Sequence, residues 1–333
     1  MPDGLAGHEP ERPPASVVIG TGGGPATFDA LEGEEPQVAA TLEALGLEEV
    51  RLSQWQLAWR RFRRHRLAMA SLVILVLMTL VVVLAPVVAP FGYEKQHLTD
   101  ILKSPRSHYL LGTDTLGRDQ LSRIIYGGRI SLAVGAGVAL MSGIIGTFIG
   151  SVAGYFGGRL DNFLMRVTDL FLSVPLLVLL IIGAKLFGGS VFDIVLILSL
   201  FFWMPLARIV RGVFLSLKEK EFVEAARAVG APSRRIILRH LLPNSMGPII
   251  VNVTLSVAVA ILTESVLSFL GFGVKPPTPT WGNMLFDSKN VTTVAPWTVF
   301  FPGLMIFITV VAVNFLGDGL RDAFDPTQRR VRA

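Results

Sequence analysis

Long runs of uncharged, apolar residues constrain this chain more than any other feature. Residues 67–89 are 23 consecutive residues without a charge, and residues 130–158 are 29. The hydrocarbon core of a bilayer requires about 20 helical residues. In that core only helices or closed barrels satisfy every backbone hydrogen bond. The sequence therefore predicts an all-α membrane protein.

Four further apolar segments bring the prediction to six transmembrane helices. The spans are expected at about residues 67–89, 130–156, 163–187, 193–213, 246–270 and 297–316. Pro175 predicts a kink in the third span. The fourth span has a short uncharged core, residues 194–207, between Asp193 and Arg208. Together these spans predict a membrane domain over residues 67–333.

The distribution of basic residues predicts which loops face the cytoplasm, because cytoplasmic loops are enriched in Lys and Arg. Residues 208–245, from the end of the fourth span to the start of the fifth, contain Arg208, Arg211, Lys218, Lys220, Arg227, Arg234, Arg235 and Arg239. This segment, including a loop at residues 214–245, and both termini are therefore expected inside. The outer loop at residues 90–129 also contains six basic residues, which opposes the same rule.

The chain before the first span falls into two parts. Residues 1–50 contain ten acids and one base, giving −9, whereas the rest of the chain carries +14. Their Gly, Pro and acid content predicts a disordered tail, with a short helix allowed at residues 38–50. The tail is interpreted as either passive or partner-binding. Within residues 51–66, Trp55 and Trp59 are followed by five arginines at positions 60–66, which predicts an amphipathic segment at the membrane surface.

The sequence does not indicate a catalytic or metal site. It contains no cysteine, and its five histidines are scattered at positions 8, 65, 97, 108 and 240. The phosphate-binding pattern G-x-x-x-x-G-K-[S/T] is missing, as are H-E-x-x-H and G-x-S-x-G. We therefore expect no enzymatic activity, metal or cofactor in this chain. A basic body with long apolar runs indicates a membrane protein rather than a nucleic-acid binder.

A polar helical island separates the fourth and fifth spans. Its residues 219–229 favour a helix, and Gly230 suits a left-handed C-terminal cap. A second helix is predicted over residues 233–242, ended by Pro243. Small alanines beside the bend leave the backbone open to close docking. From these residues alone, the island is suited either to docking another protein or to resting on lipid headgroups.

The island resembles the E-A-A loop of binding-protein-dependent ABC importer permeases. The shared pattern is Glu224-Ala225-Ala226, then three residues and Gly230, then nine residues and His240-x-Leu242-Pro243. Segments at residues 110–119, 122–132 and 264–274 are similar to the C-type subunit of the dipeptide, oligopeptide and nickel permeases. The resemblance covers about residues 55–325 and leaves out the acidic tail.

This resemblance implies a type I ABC importer permease, a multi-pass protein of a bacterial plasma (inner) membrane with both termini cytoplasmic. It implies two ATPase subunits, the same or different, that use ATP and Mg²⁺. It also implies a second homologous permease subunit and an external substrate-binding protein that delivers a peptide. The residues implied to couple to the ATPase are Glu224, Ala225, Ala226, Gly230, Arg234, Arg235, His240 and Pro243.

The substrate and the transport mechanism each leave an alternative. Nickel or another small solute is the alternative to di- and oligopeptides. A stand-alone secondary transporter or channel would require several charges along a pathway, whereas the spans offer mainly Glu264. An intramembrane carboxylate is a functional candidate, so Glu264 is assigned to the substrate path. Its alternative is a structural ion pair or hydrogen bond, with residues 112–119 as the expected partner.

Small residues recur at four-residue intervals in the second span. One series is Gly135, Ala139 and Gly143, and the next is Gly146, Gly150 and Gly154. This spacing lines one side of a helix and lets a neighbouring helix approach closely. We therefore predict that Gly146, Gly150 and Gly154 lie at a helix-packing face.

Overall fold

The computed structural model describes residues 53–325, which fold into an assembly of helices. These are α1 (Gln54–Phe62), α2 (Arg66–Val83), α3 (Ala85–Val88), α4 (Gln120–Phe156), α5 (Gly158–Leu172), α6 (Leu176–Phe187), α7 (Val191–Leu217), α8 (Glu221–Ala228), α9 (Ser233–Ile236), α10 (Leu242–Phe269), α11 (Trp281–Ser288) and α12 (Trp297–Phe324). The acidic tail predicted at residues 1–50 lies outside the described residues.

The predicted all-α membrane architecture is confirmed. Five helical segments are long and apolar enough to cross a membrane, namely α2, α4, α7, the continuous segment Ser233–Phe269 and α12. The pair α5 and α6 meets the same criteria when taken as one broken span, which gives six. Over residues 53–325, the only β-type pairing is an isolated bridge between Thr113 and Asp119.

The third span is broken rather than kinked. α5 and α6 meet at an angle of 87° across residues 173–175. Pro175 has no backbone N–H to continue the hydrogen-bond ladder, and its ring disfavours the helical conformation at Val174. The single kinked helix expected over residues 163–187 is therefore replaced by two helices with different directions.

Several other helices run past the limits expected for their spans. α4 begins at Gln120 rather than at residue 130, and Asp119 caps it by accepting a 2.8 Å hydrogen bond from the Ser122 backbone N–H. α12 continues to Phe324, beyond the expected end at residue 316. A helix satisfies its own backbone hydrogen bonds in lipid and in water alike, so it need not stop where the hydrocarbon ends.

The two small-residue series of α4 face two different helices. A Cβ added to Gly146, Gly150 or Gly154 would lie 2.5–2.8 Å from atoms of α7, including the carbonyl oxygens of residues 203, 207 and 211. A Cβ on Gly135 or Gly143 would lie within 3 Å of side chains on α10. Glycine therefore lets α4 pack closely on both neighbours, with backbone contacting backbone along α7.

A charged network closes the outer end. Arg118 Nε donates to Asp114 at 2.6 Å, and Arg123 also donates to Asp114. Both arginines reach Asp287 of α11, at 3.2 and 3.1 Å. The network therefore ties the outer loop to α4 and α11. It also neutralises two of the six basic residues that oppose the positive-inside rule.

At the inner end, α1 packs against the end of α12. Ala58 and Phe62 of α1 are buried against Ala323, and Arg61 Nη1 donates to the Asp325 carbonyl oxygen at 2.9 Å. A cavity of about 440 Å³ beside this contact is lined by residues of α1, α7, α10 and α12, among them Pro243. The start of the first span, the end of the last span and the polar island therefore lie at the same end of the protein.

Candidate coupling site

The predicted coupling residues lie on and beside α8. Glu224 and Ala225 are exposed, whereas Ala226 is only 9% exposed and faces the membrane helices. A partner docking on α8 would therefore meet Glu224 and Ala225 first. Of the remaining predicted residues, the exposed ones are Arg234, Arg235 and Pro243, and His240 is half-buried.

An apolar platform supports α8 from below. Val223 and Ala226 pack in one buried cluster with Phe214 at the end of α7 and with Ile236 and Leu241 of the following segment. The cluster continues to α10 through Ile249. Because these side chains are packed at the density of a protein interior, a displacement of α8 must also displace the inner ends of α7 and α10.

Gly230 forms the bend after α8, as predicted for a left-handed cap. Its φ is +78°. The Ala231 N–H donates to the Ala226 carbonyl oxygen at 3.0 Å, and the Gly230 N–H donates to Arg227 at 2.9 Å. These two bonds complete a Schellman motif, which satisfies the last carbonyls of the helix. A Cβ at Gly230 would meet no atom within 4 Å, so the backbone conformation alone requires glycine here.

Pro243 does not end the second helix of the island, so that prediction is wrong. The chain stays helical from Ser233 to Phe269, with a π turn at Ile237–Leu241 immediately before the proline. Proline clashes with the carbonyl four residues earlier in a regular α-helix, and the wider π turn relieves the clash. The Asn244 side-chain amide donates to the His240 carbonyl oxygen at 2.6 Å. The polar island is thereby joined to α10 without a flexible break.

Two ion pairs, not predicted from the sequence, connect α5 to α7 behind this platform. Arg211 forms two hydrogen bonds with Asp161, at 2.5 and 2.6 Å, and Asp161 is only 6% exposed. Arg208 donates to Asp169 at 2.5 Å in a more exposed position. The acids lie about two helical turns apart and the arginines about one turn apart, so each set can share a helix face. That spacing was the available signal in the sequence.

Comparison with known families identifies the chain. Residues 146–330 match the model of the binding-protein-dependent transport system inner membrane component. Residues 53–105 match the N-terminal transmembrane domain of oligopeptide transport permease C. The chain belongs to the binding-protein-dependent inner membrane transport family. It is therefore a multi-pass inner-membrane permease, a transport component rather than an enzyme, and members of this family work with ATPase and substrate-binding partners.

Curated relatives and a solved structure agree with this family. The oligopeptide transport system permease protein OppC of Haemophilus influenzae is 44% identical over 295 residues, covering 88% of this chain and 94% of that protein. The dipeptide transport system permease protein DppC of Bacillus subtilis is 43% identical, covering 86% and 90%. A chain of the inward-facing MetNI methionine ABC transporter shares the fold, with a TM-score of 0.51 and 18% identity over 61% of this chain and 96% of that one.

Glu264 lies inside the permease, with no exposed surface. Ser268 Oγ donates to its Oε1 at 2.6 Å. The adjacent helix α11 packs closely here, since a Cβ on Gly282 would lie 2.7 Å from Ser265 Cα. The expected link to residues 112–119 is replaced by this local bond, because the outer loop pairs with Asp287 instead.

The broken span borders a cavity of about 560 Å³ between α4, α7 and α10. Its wall includes the break at residues 173–175 and the part of α7 around Pro205. Polar groups come from Ser142 on α4 and from Asn252 and Ser256 on α10. The cavity is therefore mostly apolar with a few polar groups, as is usual for small-ligand sites.

Proposed function

We propose that this chain forms half of the translocation path of an ATP-driven importer of di- and oligopeptides. The observation that carries the proposal is the construction of α8. It presents Glu224 and Ala225 to a partner while its buried face is packed on α7 and α10. The relatives named as oligopeptide and dipeptide permeases favour peptides over nickel as the substrate.

The proposed assembly contains a second homologous permease subunit, two ATPase subunits and an external binding protein. The ATPases would bind and hydrolyse ATP with Mg²⁺, since this sequence lacks the phosphate-binding pattern that such chemistry requires. Glu224 would pair with a basic group of one ATPase, and the arginines at 234 and 235 with acidic groups. The small side chain of Ala225 would allow close backbone approach.

In this mechanism, ATPase movement reaches the cavity by two routes. One route is continuous helix from α9 through the π turn into α10, which supplies Asn252 to the cavity wall. The other passes from α8 to α7 and then to α5 through the pairs formed by Arg208 and Arg211. α5 ends at the break that borders the cavity. Movement at the inner end would therefore change the shape of the path.

Co-purification with the companion subunits, followed by reconstitution in proteoliposomes, tests this function. We expect ATPase activity to rise when a binding protein loaded with peptide is added, and peptide uptake to persist after ionophores collapse all ion gradients. Uptake that needs a gradient and ignores ATP would instead show a secondary transporter. ATPase stimulation by nickel but not by peptides would overturn the assignment of peptides as the substrate.

Charge reversal at Glu224 tests the coupling contact. Glu224→Lys should leave the complex assembled in the membrane and lower peptide uptake about tenfold or more, the effect expected when a charged contact at an interface is reversed. Glu219→Lys is the matched control, because it makes the same charge change at an exposed position just before α8. A wild-type uptake rate in the Glu224→Lys variant would show that Glu224 of α8 does not form the coupling contact.

A further inference from the structure

The face of α1 that points away from the protein carries an unusual combination of groups. Trp55 and Trp59, one helical turn apart, are 53% and 54% exposed. Exposed arginines follow at position 60 in α1 and at positions 63 and 64, directly after its last residue. Over residues 53–66 there is no acidic residue, and these three arginines form no ion pair within the part of the chain that the structure describes.

The opposite face of α1 is already occupied. Ala58 and Phe62 are buried against α2 and the end of α12. Arg61, unlike its neighbours, turns inward and donates to the Asp325 carbonyl oxygen. The position of α1 is thus fixed by protein contacts, which include the Trp55 ring edge-on to Phe324 at 5.4 Å. The exposed half of Trp55, Trp59 and the remaining arginines are left for another partner.

The chain geometry places the exposed face of α1 at the membrane surface. α2, a membrane span, begins at Arg66, only three residues after α1 ends at Phe62. Three residues reach at most about 10 Å, so α1 stays at the level of the lipid headgroups. Tryptophan prefers that level because its ring is apolar and its N–H is polar, and arginine forms bidentate hydrogen bonds with phosphate.

We propose that this face of α1 binds anionic phospholipid headgroups and that the bound lipids help to hold the coupling end of the permease. Residues of α1 line one cavity with Pro243 and Gly247 at the start of α10 and with Phe324 of α12. A shift of α1 would therefore disturb the segment that joins the polar island to the fifth span. This second part rests on the proposed coupling function, whereas the lipid site does not.

Tryptophan quenching in the assembled complex tests the lipid site. The complex is placed in nanodiscs of equal phosphatidylcholine and phosphatidylglycerol, with brominated acyl chains on one lipid or the other. Each arginine near an anionic surface favours binding by about fivefold. Brominated phosphatidylglycerol should therefore quench the emission of Trp55 and Trp59 more strongly than brominated phosphatidylcholine.

Three variants make the test specific. Replacing Arg60, Arg63 and Arg64 together by Gln should abolish the difference in quenching, and replacing them by Lys should preserve it. The matched control, Arg159→Gln with Arg166→Gln, removes two exposed arginines of α5 and should also preserve it. Equal quenching by both lipids in the wild-type complex would overturn the lipid site. Loss of the ATPase subunits from the Gln variant in detergent would overturn it too, by showing that this face contacts protein.

The link to transport is tested separately. Wild-type uptake should rise when phosphatidylglycerol is added to phosphatidylcholine liposomes, and the Gln variant should lose that response while retaining uptake in phosphatidylcholine alone. Selective quenching combined with uptake that ignores lipid composition would refute the role in coupling and leave the lipid site standing.

Discussion

Breaking the pair between Asp161 and Arg211 should separate ATP hydrolysis from transport. Asp161 is buried at the inner end of α5 and accepts two hydrogen bonds from the Arg211 guanidinium. Arg211 lies on α7, within one turn of Phe214 in the platform under α8. Asp161→Ala therefore removes both hydrogen bonds of the ion pair between α7, which packs under α8, and α5, which ends beside the cavity.

The Arg208–Asp169 pair on the same two helices provides an internal reference for the coupling energy. Charge-assisted hydrogen bonds contribute about 1.5–3 kcal/mol each when buried, but the Arg211 side chain is 33% exposed. We therefore expect a coupling energy of about 2 kcal/mol between Asp161 and Arg211. Both side chains of the Arg208–Asp169 pair are about half exposed, at 48% and 52%. Exposed pairs contribute at most about 1 kcal/mol, so this coupling should be clearly smaller.

Double-mutant cycles measure both energies. Single and double alanine variants of each pair are compared by reversible unfolding in mixed micelles, and uptake per ATP hydrolysed is measured in proteoliposomes. Asp161→Ala should keep ATPase activity but lower uptake per ATP severalfold, and Asp169→Ala should stay close to wild type. Exchanging the charges, Asp161→Arg with Arg211→Asp, should restore part of the transport. Equal coupling energies for the two pairs, or unchanged uptake per ATP without Asp161, would refute the reasoning.

Substitutions at Gly230, Gly150 and Glu264 test three further features of the structure. Gly230→Ala should cost about 1 kcal/mol because alanine disfavours the left-handed backbone, and Gly230→Pro should reduce uptake far more; equal uptake by both variants would contradict this order. Gly150→Ala should lower the free energy of unfolding of the purified permease by about 1–3 kcal/mol, since its Cβ would lie 2.5 Å from a carbonyl oxygen of α7. Gly212→Ala is the control and should leave that free energy unchanged, because the space around Gly212 is open. Glu264→Gln should leave the KM for peptide uptake unchanged and lower the thermal stability, and a raised KM would instead place Glu264 on the substrate path.

Features fixed by local chemistry could be predicted from the sequence. Apolar runs longer than the hydrocarbon core specify spans because unpaired backbone groups are too costly there. Gly230 could be assigned to a left-handed cap because it ends a helix-forming stretch and other residues resist positive φ. The glycines at 146, 150 and 154 could be assigned to a packing face by their spacing, although the helix they contact depends on the tertiary arrangement.

Features that depend on distant residues could not be predicted. Pro243 was expected to end a helix because the rule considers only the local ladder, whereas the chain widens into a π turn and continues. The widened turn is held from outside by packing of Ile236 and Leu241 on α7 and α8. In the same way, nothing near Arg123 in the sequence identifies Asp287, its partner 164 residues away. Pro175 marks the position of the break between α5 and α6, but no local rule gives its angle of 87°.

The two ends of the permease differ in how firmly they are held, and this difference indicates where it can move. At the outer end, Asp114 and Asp287 lock the outer loop, α4 and α11 through a buried charged network. Separating such groups would leave charges unpaired in a low-dielectric site, which is costly. At the inner end, α8 is joined to α7 and α10 by close-packed apolar contacts, and the ion pairs between α5 and α7 are partly exposed to solvent, so these helices can move together. The backbone ladder is interrupted at Pro175, where the third span already bends. Movement of the ATPase against Glu224 should therefore pivot the inner halves of the spans about a fixed outer end, with the break at Pro175 as the hinge.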